Sequence, residues 1–74
     1  MEFAILVKII DNKYIVSSYG EYEKLYKVYR NLNDEYMILE IDLQELEEIK
    51  HDSCKLQEKV EELIQKKKDM DSIN

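Results

Sequence analysis

The stretch FAILVKII, Phe3 to Ile10, is apolar at every position except Lys8, and nothing else in the chain restricts its fold as much. Read as a strand, it places Phe3, Ile5, Val7 and Ile9 on one face and Ala4, Leu6 and Ile10 on the other. A strand apolar on both faces has to be covered on both sides. In a chain of 74 residues, that makes it the central strand of a small sheet. The run is too short to span a bilayer and has neither a basic leader nor a small-residue cleavage site after it. It therefore reads as a core strand, and the expected setting is cytoplasmic.

Residues 11–41 are consistent with a hairpin and a crossover. Asp11-Asn12-Lys13 has the composition of a tight turn, and Tyr14 to Ser17 is aromatic and β-branched enough to return as a second strand. Ser18-Tyr19-Gly20-Glu21 fits the S-x-x-E capping box, so a helix is expected to start near Tyr19. Tyr22, Leu25, Tyr26, Val28, Tyr29 and Leu32 gather on one side of that helix, while Lys24, Lys27 and Arg30 lie on the other. Platforms for base stacking need rings and cations on one surface. Their separation points instead to tyrosines at the margin of a core, where the phenol can reach water. Asn33-Asp34 is expected to end the helix in a left-handed cap. Tyr36 to Ile41 alternates as a third strand. A strand–helix–strand crossover makes strands two and three parallel, with the first strand between them in the order 2-1-3.

The last segment, from Asp42 on, contains no Pro or Gly. Asp42-Leu43-Gln44-Glu45 reads as a helix start, with Ile41 and Leu46 as a hydrophobic staple. Heptad spacing then places Leu46, Ser53, Val60 and Lys67 at a, and Ile49, Leu56, Leu63 and Met70 at d. One helix over residues 43–70 would be about 42 Å long, whereas strands of this length span only about 20–27 Å. The expectation is a rod that overhangs its sheet and pairs with a second copy as a coiled coil, through Ser53, Leu56, Val60, Leu63, Lys67 and Met70. The competing arrangement breaks the helix at Lys50-His51-Asp52-Ser53, with Asp52 or Ser53 capping a new helix that folds back. The expected fold is thus α+β, with a ββαβ sheet unit over 1–42, a long dimerising helix over 43–71 and a frayed tail over 72–74, one domain in all.

Charge narrows the functional classes. The net charge is −6, and between Glu35 and Glu48 six carboxylates occur without a base. Such a surface repels nucleic acid and suits a basic protein. The residues expected to meet that partner are Glu35, Glu40, Asp42, Glu45, Glu47 and Glu48, with Tyr14, Tyr19 and Tyr36. A single Gly and no Pro leave no Gly-rich phosphate loop and no nucleophile elbow. His51 and Cys54 are three apart but fall on the outer face of the heptad, so no metal or other cofactor is expected. A lone cysteine also excludes an internal disulfide. Neither catalysis nor a small-molecule substrate is expected, and no membrane contact. The chain reads as a homodimeric regulator or inhibitor that occupies a partner's surface, for instance a nucleic-acid-binding protein of bacterial, phage or plasmid origin. The alternative is a dimeric nucleic-acid-binding regulator using Lys24, Lys27 and Arg30.

Overall fold

The structure, a computed structural model, describes residues 2–72, with side chains up to residue 69. Strands β1 (Phe3–Ile10) and β2 (Lys13–Glu21), helix α1 (Tyr22–Tyr29), strand β3 (Tyr36–Ile41), helix α2 (Leu43–Ile49) and helix α3 (Ser53–Ser72) succeed one another along the chain. β1 is the middle strand of the order β2-β1-β3 and is antiparallel to both neighbours. Two strands antiparallel to the same one are parallel to each other, as the crossover requires.

β1 is covered on both faces. On one, Ala4 and Leu6 pack with Leu25 of α1, flanked by Tyr22, Tyr29, Leu32, Tyr36 and Ile38. On the other, Ile5 and Val7 join Leu39, Ile41, Leu46 of α2, and Leu56, Val60 and Ile64 of α3. The molecule is three layers with the sheet inside. Asp11 and Asn12 form the hairpin turn with φ of 50° and 64°. Positive φ at both central residues is the type I′ requirement, and Asn and Asp tolerate it better than any other residue except Gly.

Three expectations are corrected. The helix expected near Tyr19 begins at Tyr22, and no side chain caps it. β1 is long enough to pair Ser18, Tyr19, Gly20 and Glu21, so the ladder takes the residues of the presumed capping box. The left-handed end at Asn33-Asp34 is absent: the C-cap is Arg30 in a right-handed conformation. Asn33 Oδ1 instead accepts the Glu35 amide at 3.1 Å in an Asx turn.

The third correction concerns the rod. The helix expected over 43–71 is interrupted after Ile49 and restarts at Ser53. The longest dimension of the fold is 31 Å, shorter than the rod would have been. Asp52 Oδ1 accepts the amides of Cys54 at 3.0 Å and Lys55 at 3.3 Å, which starts the new helix. The fold-back exchanges a few helical hydrogen bonds, net about 0.5–1.5 kcal/mol each, for burial of Leu56, Val60 and Ile64. Those three contribute roughly 1.5–3 kcal/mol apiece, so burial wins. Leu56 and Val60, expected at a seam between copies, are spent in the core at 5 % and 0 % exposure. Leu63 packs partly against the same core, whereas Ser53 and Lys67 are exposed. Met70 lies in α3 with its side chain outside the described residues, and of the tail only Ser72 is described, as the end of α3.

Candidate functional site

Because β1 opposes both neighbours, the end of the sheet where β1 begins is where β2 and β3 finish. Phe3 pairs with Glu21 on one side and Ile41 on the other. The residues just beyond are Glu2, Tyr22 and Asp42, and with Glu21 and Glu23 on either side of Tyr22 three distant segments bring carboxylates to this end. Glu2 is anchored there through its carbonyl, which accepts the Tyr22 amide at 2.9 Å. One shallow cleft is lined by Glu2, Glu21, Tyr22 and Glu23. A second is lined by Glu2, Phe3, Glu40, Ile41, Asp42, Leu43, Glu45 and Leu63. Glu2 belongs to both, which makes the acidic surface continuous.

Two cations form ion pairs at this end, and Lys66 and Lys67 border a neighbouring cleft shared with Tyr22 and Glu40. Lys24 Nζ lies 3.5 Å from Glu21. Lys59, only 17 % exposed, lies 3.2 Å from Glu45 and ties α3 to α2. Among the described residues no cation is within ion-pair distance of Glu2, Glu23, Glu40 or Asp42. Burial raises the Tyr22 phenol above its ordinary value of 10.0, and the nearby Glu40 carboxylate raises it further, with smaller contributions from Tyr26, Glu2 and Tyr29. Tyr22 therefore stays a neutral hydroxyl among carboxylates. Leu43, 43 % exposed, adds an apolar contact beside them. Charge around a small aromatic and aliphatic centre can hold a cationic side chain by both its head and its stem.

Glu40, Asp42 and Glu45, expected from the sequence, come together here. Glu47 and Glu48 are exposed on α2. Glu35 stands at the opposite end, where its carbonyl accepts the Ile9 amide at 2.6 Å. The three tyrosines expected with the acids line neither cleft. Tyr14 is beside the hairpin turn, its carbonyl taken by the Gln57 side chain and its ring 5.7 Å from Lys68 Nζ. Tyr36 carries Lys8 Nζ at 5.6 Å above its ring, and Tyr19 is exposed on β2 opposite Ile5. Glu2, Glu21 and Glu23 escaped sequence reasoning, because only the strand register brings them to the same end of the sheet as Asp42.

The tyrosines of α1 follow the stripe only in part. Tyr22 and Tyr29 are half-buried, while Tyr26 is exposed and stacks on Tyr22 at 5.8 Å between centroids. Lys24, Lys27 and Arg30 are exposed on the outside of α1. His51 and Cys54 are exposed, and among the described residues no three His, Cys, Asp or Glu are placed to hold a metal ion. None of the described helices is long and apolar enough to cross a membrane. Comparison with protein-family models, curated proteins and solved structures gave no match.

Proposed function

We propose that the chain is a non-catalytic protein-binding module, a small regulator or inhibitor whose acidic end covers a basic surface on a partner protein. The observation that supports this reading is the convergence of Glu2, Glu21, Glu23, Glu40 and Asp42 around Tyr22 and Leu43. Like charges held together are unfavourable for the free protein, and a cationic partner relieves them. Pairing of two copies belongs to the same reading. A seam through residues 53–70 would require α3 to leave the sheet, since Leu56 and Val60 are buried in the core of one chain.

The test is a charge reversal at the convergence point, Glu2→Lys, Glu23→Lys and Asp42→Lys together, in co-purification from cell extract. Proteins held by the native chain at low salt are expected to be lost from the variant. They should also elute from the native chain as salt approaches about 0.5 M, where screening shortens the reach of charge. Equal recovery by both proteins rejects the acidic end as the contact.

A further inference from the structure

The two outer edges of the sheet are treated differently. β2 carries an irregularity opposite Leu6 and Val7, where the pairing skips Ser17. Gln57 Nε2 from α3 also donates to the Tyr14 carbonyl. A bulge and a side-chain cover are two of the ways by which proteins close an edge to strand addition. Among the described residues β3 has neither: its register with β1 runs unbroken from Tyr36 to Ile41, and the strand contains no Pro and no Lys.

Hydrogen-bond alternation shows which backbone groups of β3 are open. Ile9 donates to the Glu35 carbonyl, so Ile9, Val7, Ile5 and Phe3 turn their backbone groups towards β3. Their partners Met37, Leu39 and Ile41 turn inward, and the period of two turns Tyr36, Ile38 and Glu40 outward. The Tyr36 amide is taken locally by the Asn33 carbonyl at 3.4 Å. A cleft of about 460 Å³ borders this edge, lined by Ile38, Leu39 and Glu40 together with Tyr22 from one helical layer and Leu63, Lys66 and Lys67 from the other. The cleft takes residues from both helical layers, so a slot opens between them beside Ile38 and Glu40.

We propose that β3 pairs antiparallel with β3 of a second copy, across a two-fold axis at Ile38, to give a continuous six-stranded sheet. In this register Ile38 faces its own counterpart and exchanges two hydrogen bonds with it. The Glu40 amide of each copy donates to the Tyr36 carbonyl of the other, adding two more. All four use groups that point outward, and none disturbs the Tyr36 amide. Charge selects the same occupant. Glu40 lies on the α1 face with Ala4, and Lys8 lies on that face with Tyr36. Glu40 of one copy therefore lands opposite Tyr36 of the other, where Lys8 Nζ already leans over the ring. Two strand spacings are about 10 Å, a gap that a lysine and a glutamate bridge. Lys66, at the border of the slot, brings its own counter-charge in Glu62 at 3.5 Å. Glu40 also belongs to the acidic end, so pairing and a cationic partner compete for that carboxylate.

Sedimentation equilibrium over about 5 to 500 µM, the range in which weak pairing is read, tests this with purified full chain. The native protein is expected to shift from monomer to dimer across that range, with slower amide exchange at Ile38 and Glu40 as concentration rises. Glu40→Pro removes an outward donor while leaving the β1–β3 ladder intact, and should weaken association about tenfold or more. Lys8→Glu and Glu40→Lys should each weaken it, and the double exchange should restore it. Within one chain these residues are four positions apart along the ladder, about 13 Å, so rescue arises only between copies. A native chain that stays monomeric to the highest concentration overturns the proposal. So does a dimer that Glu40→Pro leaves unchanged, or a double exchange that associates no better than the singles.

Discussion

Asp52 Oδ1 lies 3.0 Å from the Cys54 amide and 3.3 Å from that of Lys55, so one carboxylate satisfies two of the donors that the first turn of α3 leaves without a helical partner. Asp42 occupies the equivalent position before α2, with extended backbone at φ −71° and ψ 145°, yet its side chain makes no cap hydrogen bond. The sequence shows an aspartate before an amphipathic stretch in both places. Only the structure separates the one that caps from the one that adds charge to the acidic end. The two should respond differently to truncation. Asp52→Ala is expected to cost about 1 kcal/mol in urea unfolding, the usual loss for a working N-cap. Asp42→Ala should cost clearly less, since it removes no hydrogen bond and relieves repulsion from Glu2 and Glu40. Equal losses would show that the caps are equivalent.

The helices were legible in unequal measure, and α3 shows why. A heptad reading selects Leu56, Val60 and Leu63 and leaves out Ile64. The buried stripe is Leu56, Val60 and Ile64, with Leu63 at its side. Together these four stand at i, i+4, i+7 and i+8, the wider face of a helix that packs on a globular core. The same residues satisfied both periods, and Ile64 was the one that discriminated. The hairpin and the order 2-1-3 were readable because turn chemistry and strand alternation act locally. The length of β2 was not, since Ser18 to Glu21 become strand only because β1 offers them partners. Val60→Ala distinguishes a core role from a seam. The residue is fully buried, so its truncation should cost about 2 kcal/mol, by the same amount at low and high protein concentration. Leu43→Ala, at an exposed position, should change stability by less than about 0.5 kcal/mol. A Val60 loss that grows with concentration would place that side chain between copies after all.

Across the molecule, charge and stability oppose each other. The chain carries a net charge of −6, and the fold gathers Glu2, Glu21, Glu23, Glu40, Asp42 and Glu45 at one end of the sheet. Of these, only Glu21 and Glu45 are in ion pairs among the described residues, with Lys24 and Lys59, while Lys66 and Lys67 border the cleft beside Glu40. A fold this small has little stability to spare. The carboxylates lacking a cation are therefore a cost that packing does not explain and that a cationic partner would offset. If their repulsion is felt in the folded state, salt should stabilise the protein by screening it. Between about 10 and 200 mM sodium chloride the Debye length falls from roughly 30 Å to below 8 Å. A gain near 1 kcal/mol would then raise the melting temperature by about 4–8 °C in a domain of this size. Calorimetry at low micromolar concentration, where pairing through β3 is suppressed, should record that rise. In a Glu40→Gln, Asp42→Asn variant the midpoint at low salt should already be higher and the response to salt flatter. Parallel salt curves for the two proteins would mean that the acidic end is not strained, and the physical motive for a cationic partner would go with it.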